Sequence, residues 1–341
     1  LKSTLHIHAL VKLGQKLQET LDSTDNNLPL NKAIRKSHEL NPWFTPTFTR
    51  LAIRNLLPWL EPQKLSEWVE KYQSPKKSMK TGIIMAGNIP LVGFHDFLCT
   101  LISGHTAMIK LSGKDAYLLP AIAKELIDIE PAYRDKIHFI DKIPNNIEAL
   151  IATGSDNTAR YFDYYFKGTP RIIRKNRTSL AVLNGDETPE ELGYLADDIC
   201  TFFGLGCRNV SKLYLPAQTS LKPIIKALAK YKWLLNHEQY ANNLRYQKAR
   251  LKALNSPFID AGPVLFVEDA QLNSQVGIVH LEFFNSIENV KEILATNIEK
   301  IQCIVGNELN KSLNLGSTQK PDIGDYADNV DTLKFLTELQ S

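Results

Sequence analysis

The stretch Thr81-Gly82-Ile83-Ile84-Met85-Ala86-Gly87-Asn88-Ile89-Pro90-Leu91 decides the fold. Ile83 to Ala86 is a short continuous apolar run, the length expected of a strand covered on both faces. Gly87-Asn88 breaks the run, and Pro90 suits the opening of a helix, where its missing N–H would be unsatisfied anyway. The same alternation continues outward. Candidate strands fall at Thr81–Gly87, Thr106–Leu111, Lys136–Asp141, Ala149–Gly154, Arg171–Lys175 and Ser179–Leu183, with candidate helices at Val92–Ser103, Asp115–Ile129 and Asp156–Phe166. Strands regularly interrupted by helical periodicity predict a doubly wound α/β unit. The first eighty residues read as a helical flank around Trp43, Phe44, Trp59, Leu60 and Trp68, punctuated by prolines.

A second block opens at Thr188-Pro189-Glu190-Glu191, which combines an N-cap, proline at the first helical position and glutamate three residues after the cap. Leu192, Leu195, Ala196, Ile199 and Phe203 form one apolar stripe that Gly204 and Gly206 can end. Further strands at Lys212–Leu215, Gly262–Val267, Gly277–Phe284 and Ile301–Val305 alternate with helices near Leu221–Trp233, Glu238–Leu254 and Ile287–Leu294. The expected organisation is a flank and nucleotide-binding domain over 1–185, a catalytic domain over 186–310, and a segment 311–341 that can return to the first domain.

Composition narrows the function classes. Forty Lys and Arg against thirty-seven Asp and Glu leave a net charge of +3, too near balance to build a nucleic-acid-binding field. The apolar runs are strand-sized, so no integral membrane segment is expected, and with no signal-like N-terminus the chain reads as cytoplasmic. Four cysteines, none in a Cys-x-x-Cys pair, argue against a disulfide framework or a structural zinc site, and no metal is expected.

Position sorts the cysteines. Cys99, Cys200 and Cys303 lie in apolar stripes or strands and read as packing. Cys207 follows Gly204-Leu205-Gly206 and precedes Arg208-Asn209, in a turn where a substrate can approach the backbone and the adjacent arginine favours a thiolate. It is either an incidental residue after a helix end or a nucleophile. Asn88 is either a helix cap or an amide donor to an oxyanion. Gly154-Ser155, between a strand and a helix, is either a cap or an anion site. Lys110 ends a strand. Phe162, Tyr164, Tyr165 and Phe166 are either helix core or the lining of an acyl tunnel.

In order, these segments resemble the aldehyde dehydrogenase superfamily, and within it the LuxC-type acyl-CoA reductase family. Met85 to Leu91 is similar to the superfamily's Asn-x-Pro segment, Gly104 to Ser112 to its Gly-Asn-x-x-x-x-Lys-Pro-Ser segment, Ala152 to Ser155 to its Phe-Thr-Gly-Ser segment, and Phe203 to Cys207 to its nucleophile segment. The resemblance implies two doubly wound three-layer α/β domains, a Rossmann-like cofactor domain and a catalytic domain. It implies Cys207 as nucleophile and Asn88 as oxyanion donor, with Lys110, Ser112, Gly154 and Ser155 at the cofactor.

The implied reaction is reduction of an acyl-CoA, most naturally a fatty acyl-CoA, to the aldehyde through an S-acyl-cysteine. The same residues serve a CoA-acylating aldehyde dehydrogenase running oxidatively, and a non-catalytic nucleotide- or CoA-binding module is the alternative outside enzymes. Where hydrolytic relatives carry Glu-Leu-Gly-Gly-Lys, this chain has Ile173-Arg174-Lys175-Asn176-Arg177, without a carboxylate to activate water. A thioacyl enzyme would then persist to meet a thiol or hydride. Lys110 and Lys114 favour NADPH, with NADH as the alternative. Glu282-Phe283-Phe284 matches the family's Glu-x-Phe ribose clamp only faintly, and the closing Asp325 to Asp331 carries no mechanistic role. Little room precedes Thr81 for the β-hairpin arm through which many relatives assemble. A homo-oligomer or a weak association with an acyl-transferring partner enzyme stays open.

Overall fold

A computed structural model of the chain describes residues 2–73, 75, 77–154, 156–306, 309 and 312–339. They form two compact units, one of the residues up to Asn176 together with those from Asp322 onward, the other of Arg177–Pro321. The chain thus leaves the first unit once and comes back to it.

In the first unit, helices α1 (Lys2–Asp22), α2 (Pro29–Leu40), α3 (Pro46–Leu56) and α4 (Pro62–Val69) precede the sheet. Then come β1 (Lys80–Ile84), α5 (Phe94–Ile102), β2 (Thr106–Lys110), α6 (Leu118–Ile129), β3 (Ile137–Phe139), β4 (Ala149–Thr153), α7 (Asp156–Tyr165) and β5 (Arg171–Arg174). The sheet order is β3-β2-β1-β4-β5, and every pairing is parallel. The order reverses at β1, between β2 and β4, which is where open α/β sheets bind ligands beyond the strands' carboxyl ends.

Register explains the layers. Ile109, Ile83, Ile151 and Ile172 pair in one row across β2, β1, β4 and β5. All four face one side and share a single core with α5, α6 and the helical flank. Strand side chains alternate between faces, so Ile84, Met108, Leu150, Ala152 and Ile173 point to the other side, where Phe162 and Phe166 pack against them. Tyr164 and Tyr165 are 78% and 61% exposed, so they are neither helix core nor an enclosed lining.

The second unit contains β6 (Thr178–Val182), α8 (Pro189–Cys200), β7 (Val210–Pro216), α9 (Lys222–Leu228), α10 (Glu238–Ala253), β8 (Ile259–Asp260), β9 (Leu265–Glu268), β10 (Ile278–Phe284), α11 (Ile287–Thr296) and β11 (Ile301–Val305). Its sheet runs β11-β6-β7-β10-β9-β8, parallel except for β8 against β9. Leu180, Val182 and Tyr214 bury against α11, and Leu265, Val267 and Ile278 against α10. Thr188 caps α8 through the expected box, accepting from the Glu191 amide while the Glu191 carboxylate accepts from the Thr188 amide.

The boundary differs from the sequence expectation. The first crossing falls between Asn176 and Arg177, ahead of the expected 185/186, because β6 pairs with β7 and β11 and not with the first sheet. A buried strand's apolar run carries no record of its hydrogen-bond partner. Residues up to Pro321 stay with the second unit, and only those from Asp322 return, including α12 (Thr332–Thr337).

That returning segment gives the closing Asp325 to Asp331 motif a structural role. Tyr326 Oη lies 2.8 Å from both Trp68 Nε1 and Tyr72 Oη, and Tyr72 Oη donates to Asp331 at 2.8 Å. Arg174, buried at the end of β5, pairs with Asp96 of α5 at 2.6 Å and donates to the Ala327 carbonyl and the Thr332 hydroxyl, each at 2.8 Å. Removing one member of such a pair strands a charge away from water. Asp96→Ala is therefore expected to destabilise the fold by about 3–5 kcal/mol. Urea titration checks this as a lowered denaturation midpoint, and Lys124→Ala, which removes the exposed Lys124–Asp128 pair, should leave that midpoint unchanged.

Candidate functional site

In the second unit the candidate nucleophile sits on a turn built by backbone reversal. Helix α8 ends at Cys200, short of the stripe expected to reach Phe203. Phe202, Phe203 and Gly204 then take left-handed φ values of +52°, +59° and +71°. Such values are unfavourable for residues with a Cβ, and tertiary packing holds them. Both phenylalanines are buried, Phe203 against the rings of His237 and Tyr240.

Asn209 then locks the reversal. Its Nδ2 donates to the carbonyls of Asp198 (3.0 Å) and Thr201 (2.8 Å) at the end of the helix, and its Oδ1 accepts from the Gly206 amide at 2.9 Å. On the other side Ser179 Oγ, at the start of β6, donates to the Cys207 carbonyl at 2.9 Å. Ser179 in turn lies 3.0 Å from Cys303 Sγ, so the Cys303 thiol serves as donor to it. Asp198, 1% exposed, accepts from the Gly316 and Thr318 amides and the Thr318 hydroxyl, and the Thr318 carbonyl accepts from Arg208 Nε.

Cys207 is exposed while Cys99 and Cys200 are buried and Cys303 is intermediate. Burial pushes the thiols of Cys99 and Cys200 up, towards the inert neutral form. Lys212 and Glu282 form an ion pair in which Lys212 is fully buried and also donates to the carbonyls of Asp269 and Ala270.

In the first unit, Asn88 lies beyond the carboxyl end of β1 and is exposed. It does not cap a helix: α5 begins at Phe94 with Gly93 as its N-cap, so Pro90 falls in the preceding turn and not at the helix start. Beside it the segment after β2 carries Lys110, exposed, and Ser112, half-buried. The two loops touch at Gly87, where a Cβ would come within 2.5 Å of Ser112 Oγ and 2.7 Å of Ser112 Cβ. They touch again at Leu91, whose amide donates to Asp115 Oδ2 at 2.8 Å. Leu91 is left-handed, with φ +58°.

Gly154 follows β4, and its amide donates to the Arg174 carbonyl at 3.2 Å, extending the sheet, so that N–H is not directed at a ligand. Ser155 lies outside the described residues. Asn88, Lys110, Ser112 and Gly154 all sit at the carboxyl edge around the point where the strand order reverses, and Gly87 keeps that edge free of a Cβ. This arrangement fits a dinucleotide. Among the described residues no group of three or more His, Cys, Asp or Glu can hold a metal ion, and no helix is long and apolar enough to cross a membrane.

Asp115, 6% exposed, lies in no sequence pattern that marks it as functional. Its Oδ1 has no hydrogen-bond partner. Desolvation pushes its carboxyl up to about 6, against the opposing pull of the Leu91 and Leu118 amides.

This architecture is that of the aldehyde dehydrogenases. The chain is similar in fold to an indole-3-acetaldehyde dehydrogenase of P. syringae (TM-score 0.67, 12% identity, 91% of this chain and 73% of that one). It is likewise similar to the NAD+ complex of an aldehyde dehydrogenase from Bacillus cereus (TM-score 0.62, 14% identity, 91% and 73%). Residues 6–239 match the LuxC acyl-CoA reductase family, and the chain belongs to that family. A long-chain acyl-protein thioester reductase of Aliivibrio fischeri is 21% identical over 168 residues, covering 44% of this chain and 35% of that relative's length.

The raised Asp115 carboxyl fixes a sign. Its folded pKa lies above its ordinary value of 3.8, so its contribution to stability is full below about pH 4 and is lost as pH rises through about 6. Asp115→Asn removes that loss. The variant should gain on the native protein by roughly 3 kcal/mol between pH 4 and pH 8, read as the pH dependence of the difference in unfolding free energy.

Proposed function

We propose that the protein reduces a long-chain fatty acyl-CoA thioester to the aldehyde with NAD(P)H, through an acyl group carried on Cys207. The observation that carries this reading is the exposed position of Cys207 on a braced turn, in the family's nucleophile segment, while Cys99 and Cys200 are buried. The similarity to the long-chain acyl-protein thioester reductase of Aliivibrio fischeri supports a long-chain acyl thioester as substrate.

The Cys207 thiolate forms a bond to the thioester carbonyl carbon. The carbonyl becomes an oxyanion, then re-forms as the bond to coenzyme A sulfur breaks, and coenzyme A leaves as the thiolate. One thioester replaces another, so the equilibrium is near neutral and catalysis must act on the barrier. The family resemblance assigns Asn88 Nδ2 and the Cys207 amide as donors to the oxyanion, each worth roughly 3–4 kcal/mol when removed from comparable sites. Ser179 and Asn209 keep the Cys207 backbone in place, so its donation requires no reorganisation.

A bound nicotinamide supplies the hydride that reduces the acyl carbon. Lys110 and Ser112 hold the nucleotide's ribose side, and the exposed Lys114 adds positive charge that favours a 2′-phosphate, hence NADPH. After reduction the same donors stabilise the thiohemiacetal oxyanion; its carbonyl re-forms, the carbon–sulfur bond to Cys207 breaks, and aldehyde leaves with Cys207 again a thiolate. The released coenzyme A thiolate takes up one proton overall. The Ile173–Arg177 stretch has no carboxylate, and Arg174 is engaged with Asp96, so nothing there activates water against the acyl enzyme.

Mixing the protein with a long-chain acyl-CoA should add the acyl mass to Cys207, as read by peptide mass spectrometry, and adding NADPH should then consume its absorbance. A binding module would leave the absorbance unchanged. Cys207→Ala should abolish the adduct while NADPH binding stays within about twofold; an adduct on Cys99, Cys200 or Cys303 refutes the assignment. Asn88→Ala should slow acylation about a hundredfold. Lys110→Ala should weaken NADPH binding about tenfold without preventing acylation.

A further inference from the structure

We propose that Asp115 is the positioning residue for the oxyanion donor: by holding the Leu91 amide it fixes the 87–91 loop, and Asn88 within it, against the segment that carries Lys110 and Ser112. This rests on the reading of Asn88 given above.

The 87–91 loop is tied to the 110–115 segment at both of its ends. At one end Gly87 approaches Ser112 too closely to admit a Cβ. At the other the Leu91 amide donates to Asp115. Asn88 lies between the ties, so its position follows from them. The second tie works against local preference, because Leu91 is held at φ +58°, a region that L-residues with a Cβ avoid. Without a strong acceptor at Leu91 N, the loop can relax towards ordinary φ and carry Asn88 with it.

The side chain chosen for this tie is costly to bury. Asp115 faces Met85, Ala86, Leu91, Phe94, Leu111 and Leu119, lies almost wholly out of water, and leaves Oδ1 without a partner. An asparagine could offer the same acceptor without a charge. What the carboxylate adds is a charge-assisted hydrogen bond, about twice as strong as a neutral one. The charged groups on the surrounding elements are otherwise placed. Lys110 and Lys114 on its own segment are exposed, Lys36 of α2 lies over the Tyr117 ring, and Asp96 of α5 pairs with Arg174. The shift of the Asp115 carboxyl comes from desolvation and the Leu91 and Leu118 amides, not from any of these charges. When Asp115 is protonated the tie therefore weakens to what Asp115→Asn would give.

The test compares single-turnover acylation of Cys207 by tetradecanoyl-CoA in the native protein, D115N, N88A and N88A/D115N, from about pH 5 to pH 9. Titration of Cys207 itself is common to all four chains, so rate ratios isolate Asp115. The expected native-to-D115N ratio is about tenfold at pH 8, falling to unity below about pH 5, with NADPH affinity unchanged. D115N should melt at or above the native temperature at pH 8, and the Leu91 amide should exchange faster in it. In the N88A background D115N should cause no further loss. A D115N chain that acylates at the native rate while N88A is slow overturns the proposal. So does a native-to-D115N ratio that does not change with pH, an equal loss in both backgrounds, or a D115N chain that does not fold. If N88A acylates at the native rate, the Asn88 reading itself falls and takes this role with it.

Discussion

The side chain of Asn209 donates to carbonyls at the end of α8 and at the same time accepts the amide of Gly206. One buried amide group thereby couples the end of a helix to the turn that presents Cys207. An exposed side chain such as that of Cys207 is not held by packing around itself, so its backbone is held from beneath. Here that support comes from Asn209 on one side and Ser179 on the other, while the left-handed Phe202-Phe203-Gly204 reversal takes its stability from aromatic burial against α10. Strain of this kind persists only where the surroundings over-determine the backbone.

The first unit follows the same logic with different groups. A row of four isoleucines sets the register of its central strands, and their carboxyl ends then bring the loops after β1 and β2 side by side. The loops meet at a glycine and at a buried carboxylate. Both departures from local preference in this region, the left-handed leucine and the desolvated aspartate, meet in one hydrogen bond.

Much of this was legible in the sequence where the signal is local. The Thr188 capping box depends on residues three apart, and it forms as spaced. The strand positions follow from apolar runs, and the Cys99 and Cys200 packing roles follow from the stripes that contain them. What was not legible depends on distant partners. Asp115 acts on a residue 24 positions away, Ser179 on one 28 away and Asn209 on one 11 away, and none sits in a pattern that marks it. The same limit misplaced β6, whose five buried residues suit either sheet. The helix expected from Val92 begins two residues later because Leu91 turns left-handed first, its amide bonded to Asp115, a pairing that proline and glycine placement does not mark.

The return of the chain from Asp322 bears on how the protein is made. Until the residues from Asp322 onward leave the ribosome, Arg174 and Asp96 lack the Ala327 carbonyl and the Thr332 hydroxyl, and Trp68 lacks Tyr326. The second unit, continuous in the chain, can assemble during translation. The first must wait with its seam open, exposing apolar surface for the time it takes to synthesise some 145 intervening residues. That interval is when chaperone binding and aggregation compete with completion of the core.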